Sequence, residues 1–130
     1  MVDEVRRKAV ALEYCRLLNA GDLEGVLALF APDVRFEDPV GSPALVGREA
    51  VGRHLAAAVA AGIEETPGVL TAALDGESVT LAVTGTMAVP GAADGSRVAF
   101  RLVSVMRVTE EGLIREARVI AGRSDVTPVG

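Results

Sequence analysis

The first feature of the sequence that could do chemistry is an acid on the apolar side of a predicted strand. The stretch VRFEDPVGS, residues 34–42, places Val34, Phe36 and Asp38 on one face, because side chains alternate along a strand. An apolar pocket raises the pKa of a carboxylic acid, which suits a general base that works near neutral pH. Because Asp38 stands directly before Pro39, it could instead be a turn residue that bonds to nearby backbone.

Two further polar groups lie on predicted apolar faces. Tyr14, the only tyrosine, falls on the inner stripe of the first predicted helix, and Ser104 is the one polar residue among the even positions of a strand over 97–108. Each has a structural alternative, since a helix tyrosine usually adds its ring to the core and a buried serine often bonds to backbone. In one pocket with Asp38, however, a phenol could donate to a developing oxyanion. This combination favours proton abstraction next to a carbonyl of an apolar substrate.

The elements that must position these groups follow from apolar spacing and turn residues. Spacing predicts helices over 3–20, 23–30 and 48–61, with Gly21 and Asp22 separating the first two. Alternation and turn signals predict strands over 33–38, 69–74, 78–89, 97–108 and 113–121. Helices followed by hairpin-linked strands indicate an α+β fold, with a mostly antiparallel sheet covered on one face by helices. We predict one domain over 1–122 and a loose tail over 123–130.

Composition narrows the class of protein. The chain has 130 residues, of which 50% are hydrophobic and 3% aromatic, so a single, mostly aliphatic core is expected. The net charge of −5 argues against nucleic acid as a partner. The N-terminal MVDEVRRKAV lacks the apolar run of a signal peptide, and no segment is apolar enough to insert into a membrane, so we expect a cytoplasmic protein. Cys15 stands alone, which excludes an internal disulfide and a Cys-rich metal site.

One segment resembles a known family. YCRLLNAGDLEGVLALFAPDVRFEDPVGS, residues 14–42, resembles the N-terminal part of the bacterial steroid Δ5-isomerases (ketosteroid isomerases), which belong to the larger NTF2-like or SnoaL-like superfamily. The AGD turn with its following helix is common across the superfamily, whereas EDPVGS at this distance from the helix tyrosine is more typical of the isomerases. The resemblance implies a conical α+β barrel, with a bent sheet wrapped around a helix, and a homodimer formed through the sheet.

The same resemblance implies roles for the three polar groups. Asp38 would move a proton from C4 to C6 of a 3-oxo-Δ5-steroid, and Tyr14 would donate to the 3-oxo group as it becomes a dienolate. The family's second donor, a neutral Asp, aligns with Ser104, which can still donate but is a weaker acid. No metal or cofactor is implied, and the partner would be an apolar, steroid-like small molecule.

The expected lining of the pocket is mainly apolar. The residues predicted to contact substrate are Phe36, His54, Leu55, Phe100, Leu102 and Met106. His54, the only histidine, could also be an alternative base, or simply a residue at the rim of the pocket or on the surface.

Three functions therefore stay open. The leading one is a steroid Δ-isomerase with a modified oxyanion hole. A second is another enzyme on the same fold, such as a polyketide-type cyclase or an epoxide hydrolase. Two observations argue against an epoxide hydrolase with an Asp-Arg-Asp set. The pocket-facing positions offer no evident second Asp, and Arg35 and Arg101 lie on the faces opposite Asp38 and Ser104. A third is a non-catalytic domain that captures a lipophilic molecule.

Overall fold

Three helices pack into the concave side of a curved sheet. The computed structural model describes residues 1–129, which contain the helices α1 (Glu4–Asn19), α2 (Leu23–Ala28) and α3 (Arg48–Ala60). The strands are β1 (Phe30–Glu37), β2 (Leu45–Val46), β3 (Glu64–Ala72), β4 (Ser78–Ala88), β5 (Arg97–Val108), β6 (Ile114–Ile120) and β7 (Val126–Pro128), with a 3₁₀ turn at Arg123–Asp125 before β7. These elements confirm the predicted α+β class.

The sheet has the strand order β2-β1-β6-β5-β4-β3, and β7 pairs with β5. All pairs are antiparallel except β1 with β6, which is parallel. The parallel pairing brings the carboxyl ends of β1 and β6 to the same edge, where Glu37 lies opposite Arg118. Within residues 1–129, no helix is long and apolar enough to cross a membrane.

Short polar side chains cap α1 and α2, and the predicted separation of these helices at Gly21 and Asp22 is confirmed. The side chain of Asp3 accepts a hydrogen bond from the Arg6 amide at 2.7 Å and so caps α1. Gly21, with φ of +71°, lies between α1 and α2, where a left-handed backbone conformation favours glycine. Asp22 then caps α2 by accepting from the Gly25 amide at 2.9 Å.

The boundary between α2 and β1 differs from its prediction. Phe30 was expected to end the second helix, but α2 ends at Ala28 and Phe30 begins β1, opposite Ile114 of β6. Phe30 and Ile114 are both fully buried, and this tertiary pairing outweighs the helical spacing of the local sequence. The register of β1 against β6 shifts after Phe30, which accommodates Pro32 within the strand.

Strand β3 begins at Glu64, five residues before the predicted strand over 69–74. The prediction missed these residues because Pro67 and Gly68 interrupt the alternation of the strand. The register of β3 against β4 shifts between Pro67 and Leu70, as in a bulge, and the strand continues to Glu64 on the other side. Glu65 is consequently a strand residue rather than a loop residue.

The C-terminal segment also differs from the expectation. In place of a loose tail over 123–130, Arg123–Asp125 form the 3₁₀ turn and Val126–Pro128 pair with β5; Gly130 lies outside the described residues. Three residues are too few for a periodic pattern, so this strand depends on its contact with β5.

A buried arginine joins α1 to the loop between β3 and β4. Arg7 is 3% exposed, and its guanidinium donates to the carbonyl oxygens of Ala73 and Ser78 at 3.0 and 2.5 Å. Its Nη1 also lies 3.8 Å from a carboxylate oxygen of Asp75. These contacts hold α1, which carries Tyr14, against the sheet.

We expect Arg7→Met to lower the free energy of unfolding by about 2–4 kcal/mol, because two carbonyls lose a charged donor inside the protein. Urea denaturation would measure the change. Lys8→Met is the matched control, since it removes one positive charge from the same helical turn and should change stability by less than about 0.5 kcal/mol. Equal effects of the two substitutions would show that the Arg7 contacts do not stabilise the fold.

Candidate active site

A cavity of about 610 Å³ lies between the helices and the inner face of the sheet. Most of its lining is apolar and comes from α1, α3 and strands β3 to β6. Among the described residues, the charged side chains of the lining are Asp38, His54, Glu65 and Arg123, and the polar uncharged ones are Tyr14 and Ser104. Titratable groups in an apolar cavity are the usual mark of a catalytic or binding site.

Asp38 follows the last residue of β1 and is held by His54. The Asp38 Oδ2 atom lies 2.8 Å from His54 Nε2, and the two side chains are 33% and 36% exposed. The hydrogen bond to Asp38 raises the pKa of His54, because the carboxylate favours the charged imidazolium. Asp38 is thus a cavity residue with a side-chain partner, rather than a turn residue bonded to local backbone.

Tyr14 extends from α1 into the cavity. Its hydroxyl makes no hydrogen bond to any residue within 1–129, and its ring packs against Phe30 with centroids 5.8 Å apart. Burial raises the pKa of Tyr14 well above its usual value, and the negative charges of Glu65 and Asp38 raise it further. The phenol therefore stays protonated and can donate to a bound molecule.

Ser104 lies on the inner face of β5, opposite Leu81 of β4. It is 6% exposed and lines the cavity, and its hydroxyl bonds to no other group in the described part of the chain. The alternative that Ser104 bonds to nearby backbone is therefore not seen. The predicted inward face of β5 is correct, since Phe100, Leu102, Ser104 and Met106 all line the cavity.

One predicted lining residue is misplaced. His54 and Leu55 line the cavity with the β5 residues, but Phe36 does not. Phe36 is 1% exposed, and its ring packs between Phe30, at 6.1 Å, and His54, at 5.8 Å. It is buried as expected, but it reaches the site only through its contact with the ring of His54, which lines the cavity.

Sequence reasoning missed the second carboxyl group, Glu65 of β3. The side chain of Asn19, at the end of α1, donates to the Glu65 carbonyl and accepts from the Glu65 amide, both at 2.7 Å. This clamp holds the Glu65 backbone while the side chain lines the cavity. A strand begun at Ile63 would have revealed it, because Ile63 and Glu65 have the same parity and both line the cavity.

The carboxyl group of Glu65 titrates unusually high. Burial raises the pKa of Glu65 to about 7. The Cys15 thiol, which contacts Glu65, lowers it, whereas the negative charge of Asp38 raises it further. Near neutral pH, Glu65 is therefore protonated in a large fraction of molecules.

The arginines that the sequence placed away from the pocket do lie outside it. Arg35 and Arg101 are exposed, and they pair with Glu37 and Asp125 respectively. The pocket contains no second Asp among the described residues, but Glu65 supplies a second acid.

Comparison with known proteins places the chain in a family. The model of the SnoaL-like domain matches residues 11–117. The chain belongs to this family. It is 50% identical over 125 residues to epoxide hydrolase LasB of Streptomyces lasalocidi, an alignment that covers 96% of this chain and 44% of LasB. The chain thus spans less than half the length of that relative.

Solved structures agree with this assignment. SalBIII, an epoxide hydrolase/cyclase-like enzyme in pyran ring formation in the polyether salinomycin, superposes with a TM-score of 0.95 and 34% identity, covering 99% of this chain and 100% of SalBIII. RV0760c from Mycobacterium tuberculosis, in complex with estradiol-17beta-hemisuccinate, gives a TM-score of 0.84 and 26% identity, over 94% and 98% of the two chains. The predicted NTF2-like fold and SnoaL-like family are confirmed. The relatives favour the alternative enzyme on this fold over the steroid isomerase.

The raised pKa of Glu65 makes stability depend on pH. The pKa of Glu65 is about 7 in the folded state, against the usual 4.5, so the folded state binds this proton more tightly than the unfolded state. The resulting stabilisation is present below pH 4.5 and is lost as pH rises through 7. Glu65→Gln cannot ionise. We expect it to be more stable than wild type at pH 8 by roughly 1–3 kcal/mol, with the difference shrinking toward pH 4.

Thermal and urea unfolding of both proteins between pH 4 and 9 would measure this difference. Glu64→Gln is the matched control, because it changes the exposed neighbouring residue and should follow the wild-type pH dependence. A difference between Glu65→Gln and wild type that does not change with pH would contradict the burial of the Glu65 carboxyl group.

Proposed function

We propose that this protein opens an epoxide on an apolar substrate by acid–base catalysis, with ring closure onto a hydroxyl of the same molecule. The observation that carries the proposal is the pair of unlike carboxyl groups in one apolar cavity. Asp38 is partly exposed and bonded to His54, whereas Glu65 is buried enough for its pKa to reach about 7. Two titratable groups in different environments are suited to separate roles as base and acid.

In the proposed reaction the Asp38 carboxylate accepts the proton of the attacking hydroxyl. The hydroxyl oxygen forms a bond to one epoxide carbon as the bond between that carbon and the epoxide oxygen breaks. The protonated Glu65 carboxyl group then gives its proton to the epoxide oxygen, which leaves as a hydroxyl. One C–O bond is formed and one is broken, and Asp38 ends protonated while Glu65 ends ionised.

Two hydroxyl groups complete the site. Tyr14 lines the same cavity as both acids, whose negative charges raise its pKa, and its phenol is free to donate to the epoxide oxygen. Ser104, buried on the cavity wall, is a second donor for an oxygen of the substrate. The shape of the cavity and these fixed donors would hold the hydroxyl near the epoxide carbon and so favour reaction.

The second acid favours epoxide opening over the steroid isomerisation that the sequence resemblance implied. The expected isomerase has its neutral acid on β5, where this chain has Ser104, and uses no carboxyl group on β3, where Glu65 lies. An epoxide opening requires both a base and a proton donor. LasB is an epoxide hydrolase and SalBIII is an epoxide hydrolase/cyclase-like enzyme, and they share 50% and 34% identity with this chain. The steroid complex of RV0760c supports an apolar ligand for the cavity.

His54 is the proposed positioning residue of the base. Its Nε2–H donates to Asp38 Oδ2 at 2.8 Å, and the ring of Phe36 holds the imidazole from behind. After turnover, the proton on Asp38 must leave before the next cycle. His54 contacts Asp38 and is 36% exposed, so it connects the base to solvent.

Both acids should be essential to turnover. The probe is an apolar epoxy-alcohol whose hydroxyl can close a tetrahydrofuran or tetrahydropyran ring. We expect Asp38→Asn and Glu65→Gln each to lower kcat/KM by about 10²–10⁴, since each removes a general acid or base. Glu64→Gln should retain wild-type activity.

Mass spectrometry in ¹⁸O-labelled water separates the possible outcomes. Cyclisation leaves the mass of the substrate unchanged, whereas hydrolysis adds one labelled oxygen. Hydrolysis alone would contradict the ring-closure step, and full activity of Glu65→Gln would exclude it as the acid. Formation of a conjugated enone from a 3-oxo-Δ5-steroid, without turnover of the epoxy-alcohol, would favour the isomerase.

Loss of the His54 hydrogen bond should slow turnover without weakening substrate binding. We expect His54→Leu to lower kcat by about tenfold with little change in KM, because the Asp38 carboxylate loses the donor that holds it in position. His54→Gln retains an N–H donor and should restore part of the rate. An unchanged kcat in His54→Leu would argue against this role.

A further inference from the structure

One charged group at the cavity has no use in the proposed reaction. Arg123 lines the mouth of the cavity together with other exposed residues, Pro39, Ala57, Pro90, Gly122 and Val126. Within residues 1–129, Arg123 bonds to no acid or carbonyl. Every other arginine of the chain donates to a backbone carbonyl or pairs with a carboxylate.

The turn that carries Arg123 is held in place by other groups. Asp125 accepts from the Gly122 amide at 2.8 Å and from Arg101 at 2.9 Å. These two bonds lower the pKa of Asp125 and occupy its carboxylate. After the turn, Val126–Pro128 pair with β5. The nearest acid in sequence is therefore used to fix the turn, and the Arg123 guanidinium is left to face solvent at the mouth.

We propose that Arg123 is an anion subsite that binds a carboxylate group of the substrate at the mouth of the cavity. A guanidinium binds a carboxylate through two parallel hydrogen bonds. The inference rests on the proposed function, since it takes the cavity as the substrate site. It adds that the substrate is an apolar acid, with its charged group at the mouth and its apolar body inside.

The charges of the cavity fix this orientation. Asp38 and Glu65 line the cavity and would repel an anion there, whereas Arg123 is exposed at the mouth. The backbone amide of Val40 donates to the Val119 carbonyl at 2.7 Å, which places the Asp38 end of β1 beside Val119. From Val119 to Arg123 the chain can extend at most about 14 Å. A carboxylate on Arg123 therefore leaves the body of an extended molecule within reach of Asp38.

A single guanidinium suits a carboxylate better than a phosphate. The mouth offers one positive charge, and two carboxyl groups lie further in, so a phosphate dianion would face more repulsion than a carboxylate monoanion. The chemistry of the subsite therefore points to an apolar monocarboxylate.

Binding can be measured without any epoxide. The probes are decanoate, decan-1-ol and decyl phosphate, each used to displace Nile red from the cavity at pH 8, below their micellar concentrations. We expect wild type to bind decanoate about tenfold more tightly than decan-1-ol, since a charge-assisted pair adds affinity. Arg123→Gln should abolish this preference, and Arg123→Lys should retain part of it. Arg53→Gln, an equal change of charge on the outer side of α3, should leave the preference intact.

Any of four results would overturn the assignment, and the first three concern the preference among the probes. They are a wild type with no preference for decanoate over decan-1-ol, an Arg123→Gln variant that keeps the preference, and an Arg123-dependent preference for decyl phosphate over decanoate. Failure of all three probes to displace Nile red would also overturn it. Because no bond is broken in this assay, a protein that lacks epoxide turnover would still report on Arg123, so the two proposals fail separately.

Discussion

The placement of two carboxyl groups in one apolar cavity is the constraint on which the rest of the structure depends. Two ionised acids would repel each other and would both lose hydration, so a low-dielectric site favours only one charge. The structure separates their environments. Asp38 keeps solvent contact and a hydrogen bond from His54, whereas burial brings the pKa of Glu65 to about 7. Burial thus favours a protonated Glu65, which can serve as a proton donor.

Contacts from two helices hold the two acids in their different environments. Asn19, where α1 ends, binds both backbone groups of Glu65, and α3 brings His54 to Asp38. Gly85 lies opposite Glu65 and Phe100 in neighbouring strands, and a Cβ atom there would lie 2.5 Å from the Phe100 ring. Only glycine leaves room for that ring to close over the strand beside the acid. A row of ring contacts from Tyr14 through Phe30 and Phe36 to His54 then joins the two ends of the site.

Local sequence patterns predicted side-chain positions correctly where an element buries one face and exposes the other. Alternation along β5 placed Ser104 in the cavity, and the same parity placed Asp38 at the end of β1. Local patterns failed where distant contacts decide the structure. The apolar spacing of Phe30 fits a helix, but its partner Ile114 is more than eighty residues away and makes it a strand residue. Glu65 was hidden because a bulge at Pro67 and Gly68 breaks the alternation that would have shown its face. The Asp38–His54 bond joins a strand end to a helix, a contact that no periodicity records.

The position of the acid, more than the fold, distinguishes the functions open to this scaffold. SalBIII and RV0760c share the fold of this chain, with TM-scores of 0.95 and 0.84. SalBIII has a role in pyran ring formation, whereas RV0760c binds a steroid derivative. In the steroid-isomerase resemblance the neutral acid belongs on β5, where this chain has Ser104. Its second carboxyl group, Glu65, is instead on β3, two strands away in the sheet. A proton donor on β3 would meet a different atom of a molecule whose other end contacts Asp38. Moving one acid across the sheet therefore changes which bond can be protonated, while the apolar walls that bind the substrate stay the same.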